Sequence, residues 1–260
     1  MNADSTALSL TALDSGRLTV DAAEQVVGAT GECSIPFPAF LIEHREGLVL
    51  FDTGLSPRAY DDPDGYFAGR MHLASGFTPE KRIDRQLAAL GYSCSDIAHV
   101  VLSHCHSDHA GDLHRFSHAR FYVGPGELDW ARTPSPAGAH FIKWHEQLEP
   151  ALGYNWTTVD TPRHDLLGDG SIIVLHTPGH TPGHLSLQVA LPTRTIVLTA
   201  DAAHLREGID RLLPAATDDD PSLAVESLRM LGALEADGAE LWVAHDPGDW
   251  ERYGALQRLT

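Results

Sequence analysis

Apolar and polar positions alternate in short blocks along this chain, and between the blocks the apolar residues fall at helical spacing. Phe40–Phe51 reads as two short strands joined by a turn at Glu46-Gly47, a β-hairpin that runs into Asp52-Thr53-Gly54. Further strands are predicted over Ala98–Leu102, Ala119–Val123, Ser171–Leu175, Leu185–Ala190, Thr195–Thr199 and Leu241–Ala244. Thr78 as N-cap and Pro79 in the first turn open a helix with an apolar face of Ile83, Leu87 and Leu90, and Gly91 stops it. A helix-like stretch is predicted after Leu102, and another helix opens at Asp220-Pro221, where Ala224, Leu228 and Leu231 share one side. Residues 55–77 mix Pro, Gly and Asp with Tyr60, Tyr66, Phe67, Met71 and Phe77, which predicts a long loop or short irregular helix. Thr217-Asp218-Asp219-Asp220 reads as a solvated turn and cap. Strand blocks separated by helices in both halves suit an α/β chain built as a two-sheet sandwich with helices outside. We find no tandem repeat, low-complexity tract or linker, so one domain is expected over residues 1–260.

Composition narrows the classes. Hydrophobic residues make up 43% and charged residues 21%, enough for a sizeable core and unlike a disordered chain. No apolar run approaches the ~18 residues of a transmembrane helix, so no membrane partner is expected. The formal charge of −18 repels a phosphate backbone, which argues against nucleic acid. Met1-Asn2-Ala3-Asp4-Ser5 has no basic segment followed by an apolar stretch, so a cytoplasmic protein is expected. Cys33, Cys94 and Cys105 are odd in number and lack CxxC spacing, which predicts reduced thiols.

Histidine changes the picture, because several of the 16 cluster. Strand Ala98–Leu102 runs into Ser103-His104-Cys105-His106-Ser107-Asp108-His109-Ala110-Gly111-Asp112. Residues two apart at a strand end face the same way, so His104 and His106 can hold one metal, while Cys105 should face the core as a buried, inert thiol. Asp108 and His109 point elsewhere once the chain turns at Ala110-Gly111, and a second metal is their natural use. Further ligand types follow other strands: His176-Thr177-Pro178-Gly179-His180-Thr181-Pro182-Gly183-His184, Asp201, and His245-Asp246.

From about Phe40 to Trp250, this set of motifs resembles the metallo-β-lactamase superfamily, and in particular its N-acyl-homoserine lactonase branch. The resemblance implies an αββα sandwich of two mixed sheets flanked by helices. It also implies two divalent cations: His104, His106 and His180 on one, Asp108, His109 and His245 on the other, and Asp201 bridging. Zinc is the default for such donors, with iron, manganese and cobalt tolerated. His184 and Asp52 then look like residues that orient others.

The reaction implied is hydrolysis of a small-molecule lactone, most of all an N-acyl homoserine lactone as in quorum quenching, by a hydroxide shared between the cations. Asp108 is expected to pass a proton to the leaving oxygen. The best-known lactonases resemble one another in a tyrosine three residues after the bridging aspartate. Here that position is His204, as in relatives resembling methyl parathion hydrolase and in some lactonases. His204 is expected to donate a hydrogen bond to the substrate carbonyl, and phosphotriesters stand as the alternative substrate. Tyr66, Phe67, Met71, Phe141 and Trp144 are expected to form an apolar wall for an acyl chain. A homodimer is an assembly open to such a chain. Other branches fit less well: only 15 residues follow His245, fewer than a glyoxalase II region needs; a secreted β-lactamase commonly has Cys where Asp201 stands; and the tRNA-processing nucleases need a basic surface. An inactive binding scaffold would have no need of the intact ligand set.

Overall fold

The structure is a computed structural model that describes residues 6–67, 71–136 and 138–260, with the side chain of Met71 outside that description. Seven strands come first: β1 (Ser9–Asp21), β2 (Glu32–His44), β3 (Gly47–Phe51), β4 (Ala74–Ser75), β5 (Ile97–Val101), β6 (Arg120–Val123) and β7 (Asn155–Thr158). Then follow β8 (Arg163–Asp165), β9 (Ile172–His176), β10 (Leu185–Ala190), β11 (Thr195–Leu198), β12 (Glu240–Trp242) and β13 (Arg258–Leu259). One sheet has the order β13-β1-β2-β3-β5-β6-β7, with β4 on β1, and the other the order β12-β11-β10-β9-β8. Both are mixed: β3, β5, β6 and β7 run parallel and β11 parallels β12, while β2–β3 and β9–β10 are antiparallel.

The period of two along each strand explains the layering. Phe40, Ile42, Val49, Phe51 and Val101 point from the first sheet into a core shared with Val174, Leu187, Ile196, Leu198 and Trp242 of the second. Phe40 and Trp242 meet edge to face at 4.8 Å. Burying side chains of this size contributes roughly 1.5–3 kcal/mol each, so this seam is a main stabilising element. The alternate positions Leu41, Leu50, Val100 and Phe121 face outward onto Ile83, Leu87, Leu113 and Phe116. On the far side, Leu175, Val197 and Leu241 pack on Leu228 and Leu231 of helix Pro221–Ala236. The architecture is therefore helix, sheet, sheet, helix, as the sequence implied.

Most predicted elements are present with ends shifted by a residue or two. Helix Pro221–Ala236 begins as expected, Asp220 accepting from the N–H groups of Ser222 (2.9 Å) and Leu223 (3.1 Å). The single helix expected from Pro79 is instead a 3-10 turn, Pro79–Lys81, and a helix, Ile83–Ala89, broken where Arg82 takes an extended ψ of 139°. Side-chain bonds favour the break: Gln86 donates to the Lys81 carbonyl at 2.7 Å, and Arg82 reaches Asp61 and Asp84. The helix-like stretch after Leu102 is a 3-10 helix, Leu113–Phe116. Residues 55–77 contain two one-turn helices, Arg58–Asp61 and Pro63–Tyr66, a 3-10 turn Met71–Leu73, and β4.

Candidate metal centre

Five strands deliver polar residues to one end of the sandwich. Asp52 follows β3, His104 to His109 follow β5, His180 follows β9, Asp201 follows β11 and His245 follows β12. Among the described residues, three groups of potential ligand atoms result, each within 4.8 Å: His104, His106, His180 and Asp201; Asp108, His109, Asp201 and His245; and a smaller set of His180, His204 and Asp218, in which Asp218 is already taken up by His180 Nδ1. Asp201 belongs to the first two. Its Oδ2 lies 3.5 Å from His180 Nε2 and 3.8 Å from His104 Nε2, and its Oδ1 lies 3.1 Å from the Nε2 atoms of His109 and His245. His106 Nδ1 lies 3.0 Å from His180 Nε2, and Asp108 Oδ2 lies 3.3 Å from His109 Nε2.

The residues fit two divalent cations. Nε2 of His104, Nε2 of His109 and Oδ1 of Asp201 are buried and make no hydrogen bond, an arrangement that costs free energy unless an ion satisfies them. Burial, together with neighbouring imidazoles, holds the pKa of His104 and His106 well below the ordinary value, which keeps their lone pairs available. For His109, burial acts downward, but the carboxylates of Asp201, Asp108 and Asp52 outweigh it and raise the pKa well above the ordinary value. Burial would raise the pKa of Asp201, but His245, His109 and His204 outweigh it and keep the group ionised.

A second layer of bonds aims the rings. Asp52, held at a positive φ of 64°, accepts from His109 Nδ1 at 2.8 Å and from both the N–H (2.7 Å) and the hydroxyl (2.8 Å) of Ser103. That turns His109 Nε2 toward Asp201. The carbonyl of Pro36 accepts from His245 Nδ1 at 2.7 Å, and Asp218 accepts from His180 Nδ1 at 3.0 Å. His184 accepts from the Asp201 N–H at 3.1 Å through Nε2, while its Nδ1 meets Thr177 Oγ1, so it braces the aspartate's backbone. Cys105 is fully buried in the outer-face core.

His204 lies inside the cluster. Its Nε2 is 3.3 Å from Asp201 Oδ2, and its ring stacks on His245 at 5.6 Å. The expected wall is only partly assembled: Phe141 lies 5.0 Å from the His106 ring, and the Tyr66 hydroxyl donates to the Ser107 carbonyl at 3.4 Å. Phe67 packs 4.7 Å from Phe77, in an apolar cluster whose Phe37 is 5.7 Å from His245. Trp144 is elsewhere, against the outer-face core with Arg132 over its ring at 5.3 Å, because helical packing claims it. Met71's side chain lies outside the described residues. Sequence reasoning missed Asp218, whose side chain is 5% exposed. Its acidic run resembles a solvated turn, yet only Asp220 serves as the cap.

The metallo-beta-lactamase superfamily matches residues 38–244, the span that carries these strands and every residue of the three groups but His245. This chain belongs to the metallo-beta-lactamase superfamily. Among superfamily members, the chain is 34% identical over 236 residues to the N-acyl homoserine lactonase AttM of Azorhizobium caulinodans, covering 87% of this chain and 88% of the relative. It is 30% identical over 207 residues to the N-acyl homoserine lactonase AiiA of Bacillus thuringiensis subsp. kurstaki, covering 76% of each. A solved metallo-beta-lactamase-fold structure, an N-acyl homoserine lactone hydrolase with the product N-hexanoyl-L-homoserine bound at its catalytic metal center, superposes with a TM-score of 0.83. It is 25% identical and covers 98% of this chain and 100% of that one.

Proposed function

We propose that this chain is a metal-dependent hydrolase that opens the ester ring of lactones, with N-acyl homoserine lactones as its substrate class. The observation that carries the reading is the single carboxylate of Asp201 facing His180 and His104 with one oxygen and His109 and His245 with the other. The lactonase relatives, similar over most of their length, support the substrate class. His104, His106 and His180 would hold one cation, Asp108, His109 and His245 the other, and Asp201 both. Zinc suits these donors best. Two such cations, when bound, supply an activated water and Lewis acidity toward an ester carbonyl.

The chain's own groups do the rest. Asp52, Asp218 and the Pro36 carbonyl fix the orientation of three imidazoles before substrate arrives. The Asp108 side chain is 17% exposed, against 5% for Asp201; burial acts upward on its pKa but His109 outweighs this and brings it down to about 2, so this carboxylate is placed to relay a proton onward to the leaving ring oxygen rather than to store one. Burial, resisted by Asp201, lowers the pKa of His204; a neutral ring can donate one N–H to the substrate carbonyl oxygen without adding charge. Phe141 beside His106, with Tyr66 and Phe67 nearby, offers apolar surface to an acyl chain.

A pH-indicator hydrolysis screen of the metal-loaded protein tests this reading, using short- and long-chain homoserine lactones, simple lactones and a paraoxon-like triester. The highest kcat/KM is expected on homoserine lactones. Turnover of the triester alone would move the protein to phosphotriester hydrolysis, and no turnover of any ester would overturn the reading.

A further inference from the structure

One buried acid lies just behind the cluster and belongs to none of the ligand groups. Glu127 opens the helix Glu127–Arg132 and is fully buried. Its Oε1 accepts the backbone N–H of Cys105 at 2.9 Å, and its Oε2 accepts the backbone N–H of Gly183 at 3.0 Å. Cys105 sits between His104 and His106, and Gly183 lies in the loop that carries His180 and His184. One carboxylate therefore joins a loop of the first sheet to a loop of the second.

The backbones around it are shaped for this junction. A Cβ on Gly124 would stand 1.8 Å from the Gly183 carbonyl oxygen, and one on Gly183 would stand 2.6 Å from Glu127 Cβ. Glycine at both positions lets the two backbone segments touch, which brings Gly183 N–H within reach of the acid. Leu185 N–H adds a bond to the Ser103 carbonyl at 2.8 Å along the same seam. Desolvating a carboxylate is expensive, and a neutral side chain could fill the space more cheaply. With one N–H on each oxygen, replacing either oxygen by a donor leaves one backbone N–H without its acceptor.

We propose that Glu127 is a positioning residue of the metal centre: by clamping Cys105 to Gly183 it fixes the His104 and His106 imidazoles relative to that of His180. This rests on the reading that those three hold a cation. Partners that orient ligands typically influence metal affinity by 10- to 100-fold. The two clamped N–H groups flank His104, His106 and His180, three ligands of one group, so the clamp's loss should weaken that ion far more than its neighbour.

The test uses the purified, metal-loaded full chain and Glu127→Gln, which keeps the size of the side chain but turns an amide NH2 toward one of the two N–H groups. Amide hydrogen exchange across residues 103–109 and 177–185 should accelerate at least tenfold in both loops. Under chelator competition, one of two bound zinc ions should be released at a 10- to 100-fold lower chelator concentration than in the parent. Asp108→Asn should weaken the other ion, so the double variant should lose both. If Glu127→Gln does not fold, Glu127→Asp carries the same expectation, since it is one methylene short of spanning both loops. Two ions lost together in step with a lowered Tm, a double variant that loses only one, or unchanged exchange and release would each overturn the clamp while the metal reading stands. A parent protein that takes up no metal would overturn that reading and this inference with it.

Discussion

Asp201 is the residue whose change is easiest to interpret, because its two oxygens face different histidine groups. Asp201→Asn keeps the shape but removes the negative charge among the imidazoles. It is expected to abolish most activity and lower the bound metal from about two ions toward one, with circular dichroism unchanged; full activity with both ions retained would exclude a bridging role. The raised pKa of His109 gives a second expectation. Without metal, a raised histidine stabilises the fold below its ordinary pKa, near 6.5, and that contribution fades as pH climbs through the raised value. Metal must displace this proton, so uptake at pH 7 should release protons, and affinity should increase with pH. Calorimetry in buffers of different ionisation enthalpy would detect the release, and finding none would contradict the assignment of His109. His204→Ala should lower kcat/KM for lactones on the order of 10²–10³-fold without altering metal content, and His204→Tyr should restore much of the loss. Wild-type kinetics in His204→Ala would make this histidine structural.

Loops, more than strands, hold the cluster together, and one of them is seated against a helix. Gly179 has a φ of +139°, and a Cβ there would lie 2.3 Å from the backbone nitrogen of Ala224, in the first turn of helix Pro221–Ala236. Gly179→Ala should therefore destabilise the fold by about 1–3 kcal/mol and displace His180, read as a lower Tm with weakened metal binding. Apolar strands could be read from sequence: β10 alternates along Leu185-Ser186-Leu187-Gln188-Val189, and β3 and β11 are short unbroken apolar runs because they bury one face in the shared core and the other under an outer layer. β1 could not. It buries Ser9, Thr11, Asp14 and Ser15 among its apolar residues, and its register slips between Asp14 and Arg17, which erases the period of two. β8, Arg-His-Asp at a sheet edge, carries no apolar signal at all. Ligand-type residues after strands were legible because a metal site needs several close together. Glu127 and Asp218 were not, since acids that bind backbone or imidazole carry no spacing rule.

Across the molecule, the candidate cluster spans both sheets, so bound metal should stabilise the fold as a whole. At free metal about 100-fold above Kd, the gain is about 2.7 kcal/mol, which for a chain of this length corresponds to a Tm increase on the order of 5–10 °C. Chelation should remove that increment along with the activity, and zinc, cobalt or manganese should restore both; an unchanged Tm would mean that the ions contribute nothing to folding. Among the described residues, no helix is long and apolar enough to cross a membrane. The bond from His245 Nδ1 to the carbonyl of Pro36 joins residues 209 positions apart. The second strand therefore acquires this partner only after the 209 residues that follow Pro36 have been made. His104, His106 and His109 precede His180, Asp201 and His245 by 71 residues or more, so the cluster is closed entirely by contacts distant in sequence. The full set of ligand-type residues therefore exists as one cluster only after β12 has joined β11 and brought His245 to Asp201.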